Sequence, residues 1–144
     1  MLNAIEISPD IWWVGGIDWN ERQFHGYTTE SGITYNAYLI MDEKVTLIDT
    51  AKSTFTGEFE QRISQVVDPS KIDVVITNHV EMDHSGSLPA IHRLAPQATI
   101  YASAPAGVNE IRAHYGIEVE GVKTGDSISI GKRTLTFLQT PMVH

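Results

Sequence analysis

A chain of 144 residues is long enough to bury a real core and short enough to be one domain, or a piece of one. Ten basic against eighteen acidic residues leave a net charge of −8, and the absence of any Lys/Arg cluster argues against nucleic acid or an anionic membrane surface as a partner. Cysteine is absent, which excludes disulfides and thiolate metal sites, so any metal must be held by nitrogen and oxygen.

Met1-Leu2-Asn3-Ala4-Ile5-Glu6 lacks the basic start and apolar core of a signal peptide, and no apolar run approaches the ~20 residues of a membrane span. A cytoplasmic location is expected. Ala4–Ile7 and Ile11–Val14 read as short strands broken by Ser8-Pro9-Asp10. The polar stretch Gly15–Ser31, which contains Phe24-His25-Gly26-Tyr27, reads as a long connection; such connections are usually functional or mobile. Tyr35–Met41 and Val45–Ile48 then form an expected hairpin across Asp42-Glu43-Lys44.

Phe55, Phe59, Ile63 and Val66/Val67 recur at steps of three to four, the pattern of an amphipathic helix. Ser53 or Thr54 is placed to cap its start, and Asp68-Pro69 to end it. A strand over 73–77, a short helix near 87–94, a strand over 98–102 and a helix from Pro105 to His114 follow, with Gly116 suited to the helix exit. Only strand-like segments come after: Val119–Lys123, Ser127–Ile130 and Arg133–Gln139. Hairpins at the start and strand–helix alternation in the middle predict a mixed α/β layered fold. The chain stops at His144 without a closing helix or polar tail, which suggests a sequence cut short.

Four of the six residues in His79-Val80-Glu81-Met82-Asp83-His84 are able to hold a metal ion. The run follows the apolar stretch Asp73-Val74-Val75-Ile76-Thr77 and precedes Ser85-Gly86-Ser87, so it is expected in a loop at a strand end. In an extended loop His79, Glu81 and Asp83 point to one side, with His84 beside the last of them. On a helix Glu81 would point away, so the pattern favours a loop. Two imidazoles and two carboxylates are able to serve two metals. Zinc hydrolase sites lean on imidazole; a carboxylate in one of those places adds charge and a hard oxygen donor, which favours iron. The bland alternative is a solvated polar loop in which histidines and acids pair casually.

The arrangement Thr77-Asn78-His79-x-Glu81-x-Asp83-His84-Ser85-Gly86 resembles the metal loop of the metallo-β-lactamase fold, whose usual form has a second His where Glu81 stands. That variant is similar to the flavodiiron proteins, also called A-type flavoproteins or rubredoxin:oxygen oxidoreductases. Phe24-His25-Gly26-Tyr27, Thr34-Tyr35-Asn36-Ala37-Tyr38-Leu39-Ile40, Leu47-Ile48-Asp49-Thr50 and Thr140-Pro141-Met142-Val143-His144 support the likeness over the whole chain. The resemblance implies the N-terminal portion of an αββα sandwich spanning residues 1–144, with His79, Glu81 and His144 on one iron and Asp83 on the other. His84 is a ligand in some members and a supporting group behind the ligands in others, and His25 resembles a histidine lining the substrate pocket. Members reduce dioxygen to water, nitric oxide to nitrous oxide, or both. Their electrons come from an FMN on a C-terminal flavodoxin-like domain absent from this chain, fed by a donor such as rubredoxin or a flavin reductase. A homodimer or homotetramer is implied.

Asp49 is placed either to orient the donor loop or to cap the following turn. His92 is expected to face solvent, and His114, in a last helical turn, to suit the helix dipole. Trp12, Trp13 and Trp19 read as core or interface aromatics. Two competing functions remain: a zinc-dependent hydrolase of the same fold acting on a thioester, lactone or phosphodiester, and a non-catalytic fragment.

Overall fold

The computed structural model describes residues 3–141, and its chain opens with two antiparallel strands, Ile5–Ser8 (β1) and Ile11–Trp13 (β2). The next segment departs from the expected long connection. Gly16–Asp18 (β3) pairs with Ile33–Tyr35 (β6), and between them Gln23–Phe24 (β4) pairs with Tyr27–Thr28 (β5). The joining residues His25 and Gly26 both have positive φ, 49° and 80°, and such two-residue turns match the right-handed twist of the strands they join. Two-residue strands are too short for alternation to reveal them, which is why the stretch read as loop.

Tyr38–Ile40 (β7) and Thr46–Ile48 (β8) make the expected hairpin, but Tyr35 belongs to β6 in another sheet. The chain changes sheets at Asn36-Ala37, where Val14 N donates to Ala37 O at 2.9 Å and Trp13 Nε1 to Asn36 Oδ1 at 3.1 Å. A 3₁₀ turn over Ser53–Phe55 then leads into Thr56–Ser64 (α1). Neither Ser53 nor Thr54 caps α1, whose N-cap is Phe55; Thr56 Oγ1 instead donates to Ser53 O at 2.8 Å. Val66 and Val67 lie beyond the end of α1 and pack against the core from a turn.

The rest is Val74–Thr77 (β9), the single turn Met82–Ser85 (α2), Leu88–Leu94 (α3), Thr99–Ser103 (β10), Ala106–Tyr115 (α4) and Glu120–Val122 (β11). Ser127–Ser129 (β12) and Thr134–Thr136 (β13) close the described chain as a hairpin. Gly116, at φ 66°, ends α4 as expected.

The main sheet runs β1-β2-β7-β8-β9-β10-β11, antiparallel up to β8 and parallel from there on. Its register aligns Leu39, Leu47, Val75 and Ile100 in one row. All four are buried together with Phe59 and Ile63 of α1, Leu88 and Ile91 of α3 and Ile111 of α4, so the helices cover that face. The opposite face meets the β12–β13 hairpin, since Phe137 lies 5.7 Å from Tyr101, the neighbour of Ile100. Asp42 fastens this hairpin by accepting from the backbone N–H groups of Lys132 at 3.0 Å and Arg133 at 3.1 Å, and those bonds hold its carboxyl below the usual range. Helices on one face and a small second sheet on the other give the layered α/β order expected.

Trp12 and Trp13 are half-buried, whereas Trp19 is 64 % exposed and is not a core residue. Arg62 lies buried over the Trp13 ring at 5.1 Å and donates to Gly15 O at 2.6 Å, anchoring the point where the chain leaves for His25.

Candidate metal centre

β8 and β9 are parallel neighbours, so their C-terminal ends emerge side by side, the place where parallel sheets gather functional groups. Asp49 ends β8 with φ 57°, a left-handed conformation that Asp tolerates better than most residues. Its carboxylate is 4 % exposed and accepts from Asn78 N at 2.7 Å and Asn78 Nδ2 at 3.0 Å; His84 Nδ1 lies 3.0 Å from its Oδ2. Of the two roles open for Asp49, orienting the donor segment is the one its contacts fit. The hydrogen bond to Asp49 raises the pKa of His84, burial opposes it, and the charges of Asp49, Asp83 and Glu81 add to the rise. With Nδ1–H given to Asp49, the neutral ring keeps a lone pair on Nε2, and that atom sits 3.3 Å from Asp83 Oδ2.

The donor segment is not extended throughout. Glu81 is the N-cap of α2, and its carbonyl accepts from His84 N and Ser85 N, both at 2.9 Å. Asp83 and His84 therefore ride on a helical turn, while His79 and Glu81 precede it. The turn is held from outside: Thr50 N and Thr50 Oγ1 donate to His84 O at 2.8 and 2.7 Å, and Ser87 N donates to Ala51 O at 2.8 Å. These tertiary bonds override the alternation that the sequence suggested.

The groups nonetheless converge. Glu81 Oε2 lies 3.7 Å from His79 Nε2 and 3.2 Å from His25 Nε2. The His79 and His84 rings meet edge to face at 5.4 Å. One donor atom each from His25, Glu81 and Asp83 fall within 4.8 Å of one another. His25 reaches this point from the tip of the β4–β5 hairpin, and an ion pair of 3.2 Å between Lys52 Nζ and Glu21 Oε2 ties its segment to the loop after β8. Tyr35 adds a second tie by donating from its hydroxyl to Asp18 Oδ2 at 2.9 Å; burial and that bond push the phenol pKa up.

A donor set of borderline imidazole nitrogens and hard carboxylate oxygens with sulfur absent, gathered at this spacing, fits a metal such as iron, borderline as the ferrous ion and hard as the ferric one. His144, expected as a further ligand, lies outside the described residues. His92 is half-buried with Nδ1 enclosed rather than facing solvent, because its neighbour Ile91 is fully buried in the core and draws that part of α3 inward. His114 Nδ1 makes a 3.1 Å contact with Glu110 O in the last turn of α4, as its structural reading expected. Sequence reasoning missed Asn78, Lys52, Glu21 and Ser85. Only Asn78 and Ser85 carried a signal, as polar neighbours of the donor run.

A family model described as ODP family beta lactamase matches residues 33–144. The chain is 44 % identical to a nitric oxide reductase from Moorella thermoacetica, over 100 % of its own length and 37 % of that protein's. It superposes with a TM-score of 0.90 on the rubredoxin oxygen:oxidoreductase of Desulfovibrio gigas at 44 % identity, covering 98 % of this chain and 36 % of that one. It also matches the flavodiiron protein of Giardia intestinalis, with a TM-score of 0.90 at 36 % identity over 98 % of this chain and 35 % of that one. The chain thus spans little more than a third of the length of these relatives. The likeness to flavodiiron proteins and the metallo-β-lactamase-like α/β fold are both borne out. The chain belongs to the ODP family of the β-lactamase fold.

Proposed function

We propose that this chain, residues 1–144, is the metal-binding part of a flavodiiron oxidoreductase that reduces dioxygen to water, nitric oxide to nitrous oxide, or both. The observation that carries the reading is Glu81, an acid in place of an imidazole, with a carboxylate oxygen 3.2 Å from His25 Nε2 and 3.7 Å from His79 Nε2. A negative hard donor there favours iron over zinc and electron transfer over hydrolysis.

In this reading His79, Glu81 and His144 hold one iron, and Asp83 a second. Held there, the irons would supply electron transfer to a bound gas. His84, its Nδ1 fixed by Asp49, presents Nε2 on the Asp83 side, and His25 borders the space where the gas binds. Residues beyond this chain supply the remaining ligands and the FMN. The working enzyme is a cytoplasmic homodimer or homotetramer fed by rubredoxin or a flavin reductase. Among the described residues no helix is long and apolar enough to cross a membrane.

The test is gas consumption by the protein expressed from its complete gene and supplied with a flavin reductase. Wild type should consume nitric oxide or dioxygen, and Glu81→Gln should lose at least ~100-fold, beyond what a change behind the ligands costs. Unchanged consumption in Glu81→Gln sinks the reading.

A further inference from the structure

Ser85 is fully buried, and its hydroxyl faces three oxygens: Val80 O at 2.6 Å, Glu81 O at 3.1 Å and Tyr115 Oη at 3.0 Å. A hydroxyl has one proton to give and carbonyls only accept. The Tyr115 phenol therefore donates to Ser85 Oγ, and the Ser85 proton is shared between the two carbonyls. Those carbonyls belong to the peptide planes on either side of Glu81. One hydroxyl thus bridges both backbone units that carry the Glu81 side chain: it makes a short bond to Val80 O, and it joins His84 N and Ser85 N in holding Glu81 O.

Tyr115 closes α4, which rests on β10 and β11, and Gly116 N caps it by donating to Arg112 O at 2.9 Å. The phenol is therefore held by the rigid part of the fold, some thirty residues along the chain from the donors it serves. Its ring packs against the core cluster, a role that phenylalanine would keep. What the hydroxyl adds is a link from the sheet-backed helix to the peptide planes around Glu81.

We propose that Tyr115 is a positioning residue for the metal centre, acting through Ser85 on the backbone that aims the Glu81 carboxylate. The inference rests on the metal-binding reading above, and it concerns geometry rather than titration. Groups that sit behind metal ligands in this way change metal affinity on the order of 10-fold or more when removed.

Cobalt(II) titration of the protein from its complete gene, stripped of metal, tests it through the visible ligand-field spectrum. Wild type should bind cobalt with a resolved spectrum. Tyr115→Phe and Ser85→Ala should each weaken binding by about 10-fold and alter the band positions. The double variant should match Ser85→Ala alone, because the phenol has no other route to Glu81. A Tyr115→Phe protein with wild-type affinity and spectrum overturns the proposal. So does a Tyr115→Phe effect that persists in full on the Ser85→Ala background, since that is what a general loss of packing produces. Wild type that binds no cobalt removes the metal reading itself, and this inference with it.

Discussion

Asp49→Asn is expected to weaken metal binding by 10- to 100-fold while leaving the fold largely intact. The substitution keeps the size of the side chain and its tolerance of the left-handed backbone at φ 57°. It also keeps one oxygen, which continues to accept from Asn78 N, now at 2.7 Å. The other oxygen becomes an NH2 group. It confronts Asn78 Nδ2 and His84 Nδ1, both of which Asp49 Oδ2 now accommodates at 3.0 Å. His84 answers by taking the tautomer with its proton on Nε2, which removes the lone pair on the Asp83 side. Asp49→Ala loses the same metal affinity and adds a stability cost of about 1–2 kcal/mol, because Asn78 N and Nδ2 and His84 Nδ1 lose their acceptor at a site that is only partly open to water. Iron(II) competition against a coloured chelator and urea unfolding measure the two effects separately. An Asp49→Asn protein that holds metal like wild type contradicts the role given to Asp49.

The contrast between what the sequence made legible and what it hid follows from distance along the chain. His79, Glu81, Asp83 and His84 were readable because they are neighbours, flanked by a buried strand and a Ser-Gly turn that need no tertiary information. The helix α1 was readable because Phe55, Phe59 and Ile63 recur at steps of four. The bending of Asp83 and His84 into a helical turn was not, because Thr50 and Ala51 impose it from the neighbouring strand's end. The His25 hairpin was hidden because its strands are two residues long and its register is set by the turn rather than by alternation. Tyr115 gave no signal at all: nothing near it in sequence points to Ser85.

Gly86→Ala is expected to cost about 3 kcal/mol of stability, at the top of the usual range for overpacking. A Cβ there would lie 2.5 Å from Met82 O, 2.7 Å from Ser53 N and 3.2 Å from Ala51 O. All three are backbone atoms, so no side chain can rotate away. Relief would require α2 to part from the segment over 50–53, breaking the bonds from Thr50 to His84 O and from Ser87 N to Ala51 O. Metal affinity should fall along with stability, because Asp83 and His84 move with α2. Gly57→Ala is the matched control. That position is exposed within α1 with nothing inside 4 Å of an added Cβ, so helix propensity should stabilise it by up to ~1 kcal/mol. Urea midpoints of the two variants should move in opposite directions. Equal midpoints contradict the close approach at Gly86.

Selection of iron by a carboxylate among imidazoles is tested most directly by the metal inventory of the protein expressed from its complete gene and purified without oxygen. Iron in about twofold molar ratio to chain, with zinc only at trace level, is the predicted result for a paired site. Stoichiometric, tightly held zinc, together with hydrolysis of ester or thioester substrates, would contradict it.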